Sequence, residues 1–200
     1  MDVRAPLTSL SPTLDMRILT AMVAAEASFT SGDLARVTGA SRSGVSLALE
    51  RLARAGVVDV QTYGRTNAYT LNRDHLLTEA LLLAADAGTT LNRRTAELID
   101  SWRIQPTYAA LFGSTARRDG DDQSDIDVLI VRPDGADPDD LTWSRQLAEL
   151  QEGVRRWTGN ACELLVLSQA QWSDAQASDA RIATEIHRDG IPLFPRRAVA

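Results

Sequence analysis

Apolar residues in the first third of the chain recur at helical spacing. Ile18, Met22 and Ala25 follow a Ser11-Pro12 pair that suits a helix start, because serine caps and proline fits the first turn. Thr30 or Ser31 then caps a second short helix through Leu34 and Val37, which Gly39 ends. Ser41 caps a third, on which Val45, Ala48, Leu49 and Leu52 form one buried stripe. Past Gly56 the period changes: Val57, Val58 and Val60 begin a β-branched strand, Tyr63-Gly64-Arg65-Thr66-Asn67 reads as a turn, and Ala68 to Leu71 as the returning strand.

From 74 to 104 the pattern is helical again and reads as a connector. Leu77, Leu81 and Ala84 lie on one face, Gly88-Thr89-Thr90 interrupts, and Leu91, Thr95, Leu98 and Trp102 follow. The apolar excess of "EALLLAADA" suits either a homodimer interface or a helix between two domains. Beyond 105 strands and helices alternate. Tyr108 to Phe112 is a short strand running into Gly113-Ser114, and Val128 to Val131 a second. A helix over about 139–157 has Leu141, Leu147, Leu150 and Val154 as core candidates, and "NACELLVLS" is a further strand.

Composition bounds the function classes. The 200 residues are 44% hydrophobic and 24% charged, an ordinary globular balance. The longest apolar run, Ala80 to Ala85, is too short to cross a bilayer, and no basic-then-apolar signal opens the chain, so a cytoplasmic protein without a membrane role is expected. One cysteine excludes an internal disulfide, and two histidines leave no zinc cluster; Cys162, His75 and His187 read as structural. The net charge of −6 disfavours nucleic-acid binding by bulk charge. It divides unevenly, about +1 over residues 1–75 and −7 over 76–200, so a DNA contact needs a local patch in the first part.

Three helices with a tight turn between the last two, then a hairpin, is the order of a winged helix-turn-helix, and "SGDLARVTGASRSGVSLALERLARAGVV" resembles that family. The resemblance implies that the Ser41–Ala55 helix enters a major groove and the hairpin tip reaches the backbone or minor groove. The DNA-binding residues would be Ser41, Arg42, Ser43, Ser46 and Arg51 on the helix, with Arg65 and Asn67 on the wing. A fold used for dimerisation or protein contact would leave the same residues as a solvated face.

The chemistry sits in the third segment. Alternation along a strand puts Asp125 and Asp127 on one face, about 7 Å apart. Two carboxylates so placed repel each other unless a cation neutralises them, and hard divalent ions with oxygen ligands suit the pair. Glycine at 113 lets backbone approach a phosphate, the Ser114 hydroxyl and neighbouring N–H groups can hold its oxygens, and Arg117 and Arg118 add charge. "LFGSTARRDGDDQSDIDVLIV" resembles the signature of the nucleotidyltransferases related to DNA polymerase beta, most of all the minimal members from bacteria and archaea.

That resemblance covers about 106–195 and implies a set of roles. Gly113, Ser114, Arg117 and Ser124 would bind nucleotide, Asp125 and Asp127 the metal, and Glu163 would be the third carboxylate, both metal ligand and catalytic group. The resemblance further implies Mg²⁺ or Mn²⁺ as cofactor, an NTP (ATP foremost) as donor, and a partner toxin or RNA as acceptor in an antitoxin-like system. Glu163 lies between Cys162 and Leu164, where burial of a carboxylate would be costly without a partner. The expected architecture is an α+β multidomain chain: a winged helix-turn-helix over 11–73, a helical connector over 74–104, and an α/β nucleotidyltransferase domain with a small mixed sheet over 105–195. The rival reading is a transcriptional regulator whose C-terminal domain senses NTP and Mg²⁺ without turnover.

Overall fold

The computed structural model describes residues 1–117 and 119–195; Arg118 lies outside the described residues. The chain divides into two compact units, one of Asp2 and residues 4–87, the other of Met1, Val3 and the chain from Gly88 onward.

The first unit opens with a short helix, α1 (Pro6–Leu10), which the hydrophobic pattern does not announce. α2 (Leu14–Ala24) starts later than the Ser11-Pro12 pair suggests, because Thr13 supplies the cap, its side chain accepting from the Met16 N–H. α3 (Ser31–Thr38) begins with a capping box between Thr30 and Asp33 and ends at Gly39, whose φ of +66° is the left-handed turn that favours glycine. α4 (Arg42–Arg54) is capped by Ser41 and buries Val45, Ala48, Leu49 and Leu52, as the stripe predicts. These four join Leu7, Ile18, Leu19, Met22 and Leu34 in one core.

A hairpin follows, β1 (Val58–Tyr63) and β2 (Thr66–Leu71), antiparallel and closed by Gly64-Arg65. Asn67 therefore lies in the strand opposite Thr62 rather than in the turn. Phe29 adds an isolated bridge to Tyr69, so the stretch before α3 lies along the wing. Three helices and a hairpin in this order are a winged helix.

The 74–104 segment does not stand apart. α5 (Leu76–Ala85) packs Leu81 and Ala84 into the first unit's core. Leu77, expected on that face, is exposed, and Thr78 is buried instead, donating to the Asn72 carbonyl at 2.6 Å. α6 (Ala87–Asp100) runs straight through Gly88-Thr89-Thr90, which forms its first turn instead of a break. Past Ala87 it belongs to the second unit, where Leu91, Thr95, Ile99 and the following Trp102 are buried.

The second unit is a four-stranded mixed sheet between helices. β3 (Tyr108–Phe112) pairs antiparallel with β4 (Ile126–Arg132), separated from it by the one-turn helix α7 (Gly113–Arg117). α8 (Leu141–Thr158) leads to β5 (Cys162–Ser168), parallel to β4. α9 (Gln169–Ala177) and α10 (Arg181–Asp189) then bring β6 (Ile191–Phe194) back to the free edge of β3, giving the order β5-β4-β3-β6.

Strand alternation sends Ile126, Val128 and Ile130 into a core with Ile99, Trp143, Leu150 and Val154. Leu129 and Val131 face the other way, with Trp172, Ala183 and Ile186. Both faces of β4 are thus covered, which explains its nearly unbroken apolar run. On α8 the expected core residue Leu141 is exposed, because helical periodicity puts it on the face opposite Leu150; Trp143 is buried in its place, edge-on to Trp102 at 5.7 Å.

Gln146, also on α8, is buried for a polar reason. Its Oε1 accepts from the backbone N–H groups of Arg103 and Ile104, and its Nε2 donates to the Ile104 carbonyl. Gln146→Leu leaves those groups unpaired and should lower stability by about 2–4 kcal/mol. A urea titration reads this as a lower midpoint at unchanged slope.

Candidate functional site

Phe112 is the register partner of Asp127 on β3, and Glu163 its partner on β5. In a parallel pair, partnered residues share a face, so Asp127 and Glu163 stand side by side at the end of the Leu129/Val131 face. Asp125, one residue ahead of β4, is exposed, and so is Glu163. The burial cost argued for Glu163 therefore does not arise: β5 is an edge strand and the carboxylate sits near its open end. Asp127 is half-buried. Desolvation first, then the charges of Asp125 and Glu163, push its pKa up, with Arg117 pulling it partly back.

Gly113 is shaped around that carboxylate. Its φ is +69°, and a Cβ there would fall 2.1 Å from Asp127 Oδ2. The glycine thus makes room for the aspartate, whatever it offers a phosphate. Ser114 follows, half-buried, and its carbonyl accepts from the N–H groups of Asp119 and Gly120. Gly120 lets the loop close tightly, since a Cβ on it would lie 2.8 Å from Ser114 Oγ and 3.1 Å from Ser124 Oγ.

Two residues expected to contact nucleotide have partners within the protein. Ser124 Oγ donates to Asp121 Oδ1 and accepts from the Asp121 N–H, both at 2.9 Å, closing the turn before Asp125. The Arg117 guanidinium pairs with Asp119 at 3.0 Å, and Glu185 and Asp189 of α10 add to the field that raises its pKa.

Among the described residues, no three or more His, Cys, Asp or Glu side chains gather closely enough to form a protein cage for a metal. The donors are nonetheless mutually repelling hard oxygens, of the kind that suits a hard divalent cation, which would draw its other ligands from elsewhere.

Behind the site, Cys162 faces the core between β5 and α8, and burial, then Glu163 and Asp127, push its pKa up to about 12. A thiol held protonated and inaccessible should not react with iodoacetamide at neutral pH until the fold opens. Labelling followed by mass spectrometry across a urea series should show modification tracking unfolding.

In the first unit the residues expected to meet DNA divide. Arg42, Ser43, Arg65 and Asn67 are exposed, and Ser46 half-exposed. Ser41 Oγ accepts the Gly44 N–H as the cap of α4, and Asn67 Oδ1 accepts from Thr62 Oγ1 across the hairpin. Arg51, exposed, is held by Asp15 of α2 through its Nε and Nη2. Leu47, absent from the expected set, is 58% exposed on the same helix. An apolar residue outside the buried stripe is the signal that could have singled it out.

A winged helix is followed along the chain by a mixed sheet bearing a Gly-Ser turn and paired aspartates. Residues 96–170 match the model of the nucleotidyltransferase domain, so the chain carries such a domain in its C-terminal unit. No curated protein matches the sequence. Among solved structures it is similar to a protein from Sulfolobus solfataricus provisionally named a nucleotidyltransferase, with 18% identity, 53% of this chain and 85% of that one covered, and a TM-score of 0.29. It is also similar to TrmBL2, an archaeal chromatin protein that binds DNA, with 14% identity, 94% and 78% covered, and a TM-score of 0.33. No helix among the described residues is long and apolar enough to cross a membrane.

Proposed function

We propose that the C-terminal unit transfers a nucleoside monophosphate from an NTP, ATP foremost, to a hydroxyl of a protein or RNA acceptor, and that the winged helix binds DNA. The observation that carries this is the meeting of Asp127 and Glu163 across β4 and β5, with Asp125 near enough to raise the Asp127 pKa and Gly113 built around the Asp127 carboxylate.

Asp125 and Asp127 would hold Mg²⁺ or Mn²⁺, with Glu163 beside them. The ion, when bound, would neutralise charge on the triphosphate and on the transition state. Backbone N–H groups and the hydroxyl of the Gly113-Ser114 turn orient phosphate oxygens. Exposed Glu163 is free to take the proton from the acceptor hydroxyl, whose oxygen attacks the α-phosphorus in line as pyrophosphate leaves.

Incubation with each α-³²P-labelled NTP and Mg²⁺, alone and with cell extract, tests the reading. Label on protein or RNA that disappears in Asp125→Ala/Asp127→Ala upholds it and gives the acceptor class. A partner toxin as acceptor makes the protein antitoxin-like. Absence of label, with nucleotide binding that changes DNA affinity, turns the protein into a sensor.

For DNA, Arg42→Ala should weaken binding to all sequences alike and reduce the slope of log K against log salt by about one phosphate contact. Fluorescence anisotropy across a salt series reads both. An unchanged slope would move Arg42 out of the interface.

A further inference from the structure

Asn160 is buried, 5% exposed, at a place where nothing in strand or helix patterning calls for a polar residue. It follows Gly159, whose left-handed φ of +79° ends α8 and turns the chain toward β5. Its backbone N–H donates to Thr158 Oγ1, and its Oδ1 accepts from the Met1 amine. The Nδ2 group reaches across to the loop before β4, donating to the Ser124 carbonyl at 2.8 Å and the Asp122 carbonyl at 3.5 Å.

The next residue makes a second attachment. The Ile126 N–H donates to the Ala161 carbonyl at 2.9 Å. Asp125 is therefore bracketed: Asn160 holds the peptide in front of it and Ala161 the residue behind. The paired ladder of β4 begins only at Ile126, so without Asn160 the Ser124 carbonyl loses its partner from the α8–β5 connection, leaving Asp125 with the Ile126–Ala161 bond behind it and a long 3.5 Å hydrogen bond from Thr115 Oγ1 to its own carbonyl. The same short connection leads straight into the strand that carries Glu163, so one segment sets the spacing of carboxylates from two strands.

We propose that Asn160 is a positioning residue that fixes the backbone of Asp125 relative to Asp127 and Glu163. The proposal takes Asp125 as a metal-holding residue from the function proposed above. Asparagine suits the role because it donates from Nδ2 while accepting at Oδ1. Aspartate has the same shape without the donor, and alanine removes both groups.

The test uses the full chain carrying Asn160→Asp or Asn160→Ala beside the unaltered protein. Amide exchange by mass spectrometry should show protection lost over 119–125, with α8 and the β4 core keeping their rates. Melting temperatures identify any variant that simply fails to fold; with two variants, the one that folds is informative. The Mg²⁺ or Mn²⁺ concentration that half-saturates ATP binding should rise about tenfold or more, as when the support of a metal ligand is removed. Excess metal should recover binding, a response that a general loss of stability would not give.

If the unaltered protein binds no ATP with either metal, the nucleotidyl-transfer reading fails, and exchange alone decides whether the clamp exists. Exchange that is unchanged, or faster throughout the chain, overturns the clamp. If the unaltered protein does bind, folded variants that keep its metal requirement overturn the positioning role even where the loop loosens.

Discussion

Asp127→Asn is expected to abolish nucleotidyl transfer while raising the melting temperature near neutral pH. The loss follows from removing a charge that the proposed metal site needs, worth several kcal/mol of transition-state stabilisation and so about 10³-fold or more in rate. The gain in stability follows from linkage. Desolvation and the neighbouring Asp125 and Glu163 hold the Asp127 pKa above its ordinary value. Over that pH window the folded state binds more protons than the unfolded chain, so stability falls as pH rises through it. At neutral pH the ionised carboxylate is a cost, which asparagine removes. Thermal scans should show the advantage of Asp127→Asn shrinking as pH falls through the carboxylate range, where the native side chain is itself neutral. A variant less stable than the parent at neutral pH would mean that Asp127 holds the fold together.

Gly113→Ala is expected to damage stability and transfer together, through the same side chain. The left-handed backbone alone costs a residue with a Cβ roughly 1–2 kcal/mol. The new methyl would also occupy the space of Asp127 Oδ2, so the carboxylate must swing away. A displacement of about 1 Å at a reacting site costs on the order of 10²-fold in rate. The two contributions separate in a double-mutant cycle. Asp127→Ala empties the space, so adding Gly113→Ala to it should destabilise less than Gly113→Ala does alone. Additive effects would show that the glycine serves the backbone only.

Periodicity carried most of the fold. The α4 stripe could be read because four buried residues repeat on one helical face, and β4 because an apolar strand followed paired aspartates. The partnership of Asp127 with Glu163 was less accessible, since it depends on which strands become neighbours and in what register. Leu77 and Leu141 show a different limit: Leu77 fits the helical spacing yet is exposed beside buried Thr78, and Leu141 lies on the face of α8 opposite Leu150. Gln146 and Asn160 mark the third. Each is a polar residue recruited to backbone groups distant in sequence, a need that appears only once the chain has folded. Ser124 stands out by its position in the motif, and the structure shows its hydroxyl closing the Asp121 turn.

The connection between α8 and β5 is only residues 159–161, and all three have work: a left-handed turn at Gly159, a side-chain clamp at Asn160 and a backbone acceptor at Ala161. One inserted residue there would shift β5 by one step against β4, turning Glu163 toward the core and Cys162 toward the aspartates. The connection between β4 and α8, residues 133–140, is longer and mostly exposed, with open space around Gly135. Natural length variation, epitope tags and reporter insertions in this domain should therefore collect at 133–140 and be excluded from 159–161.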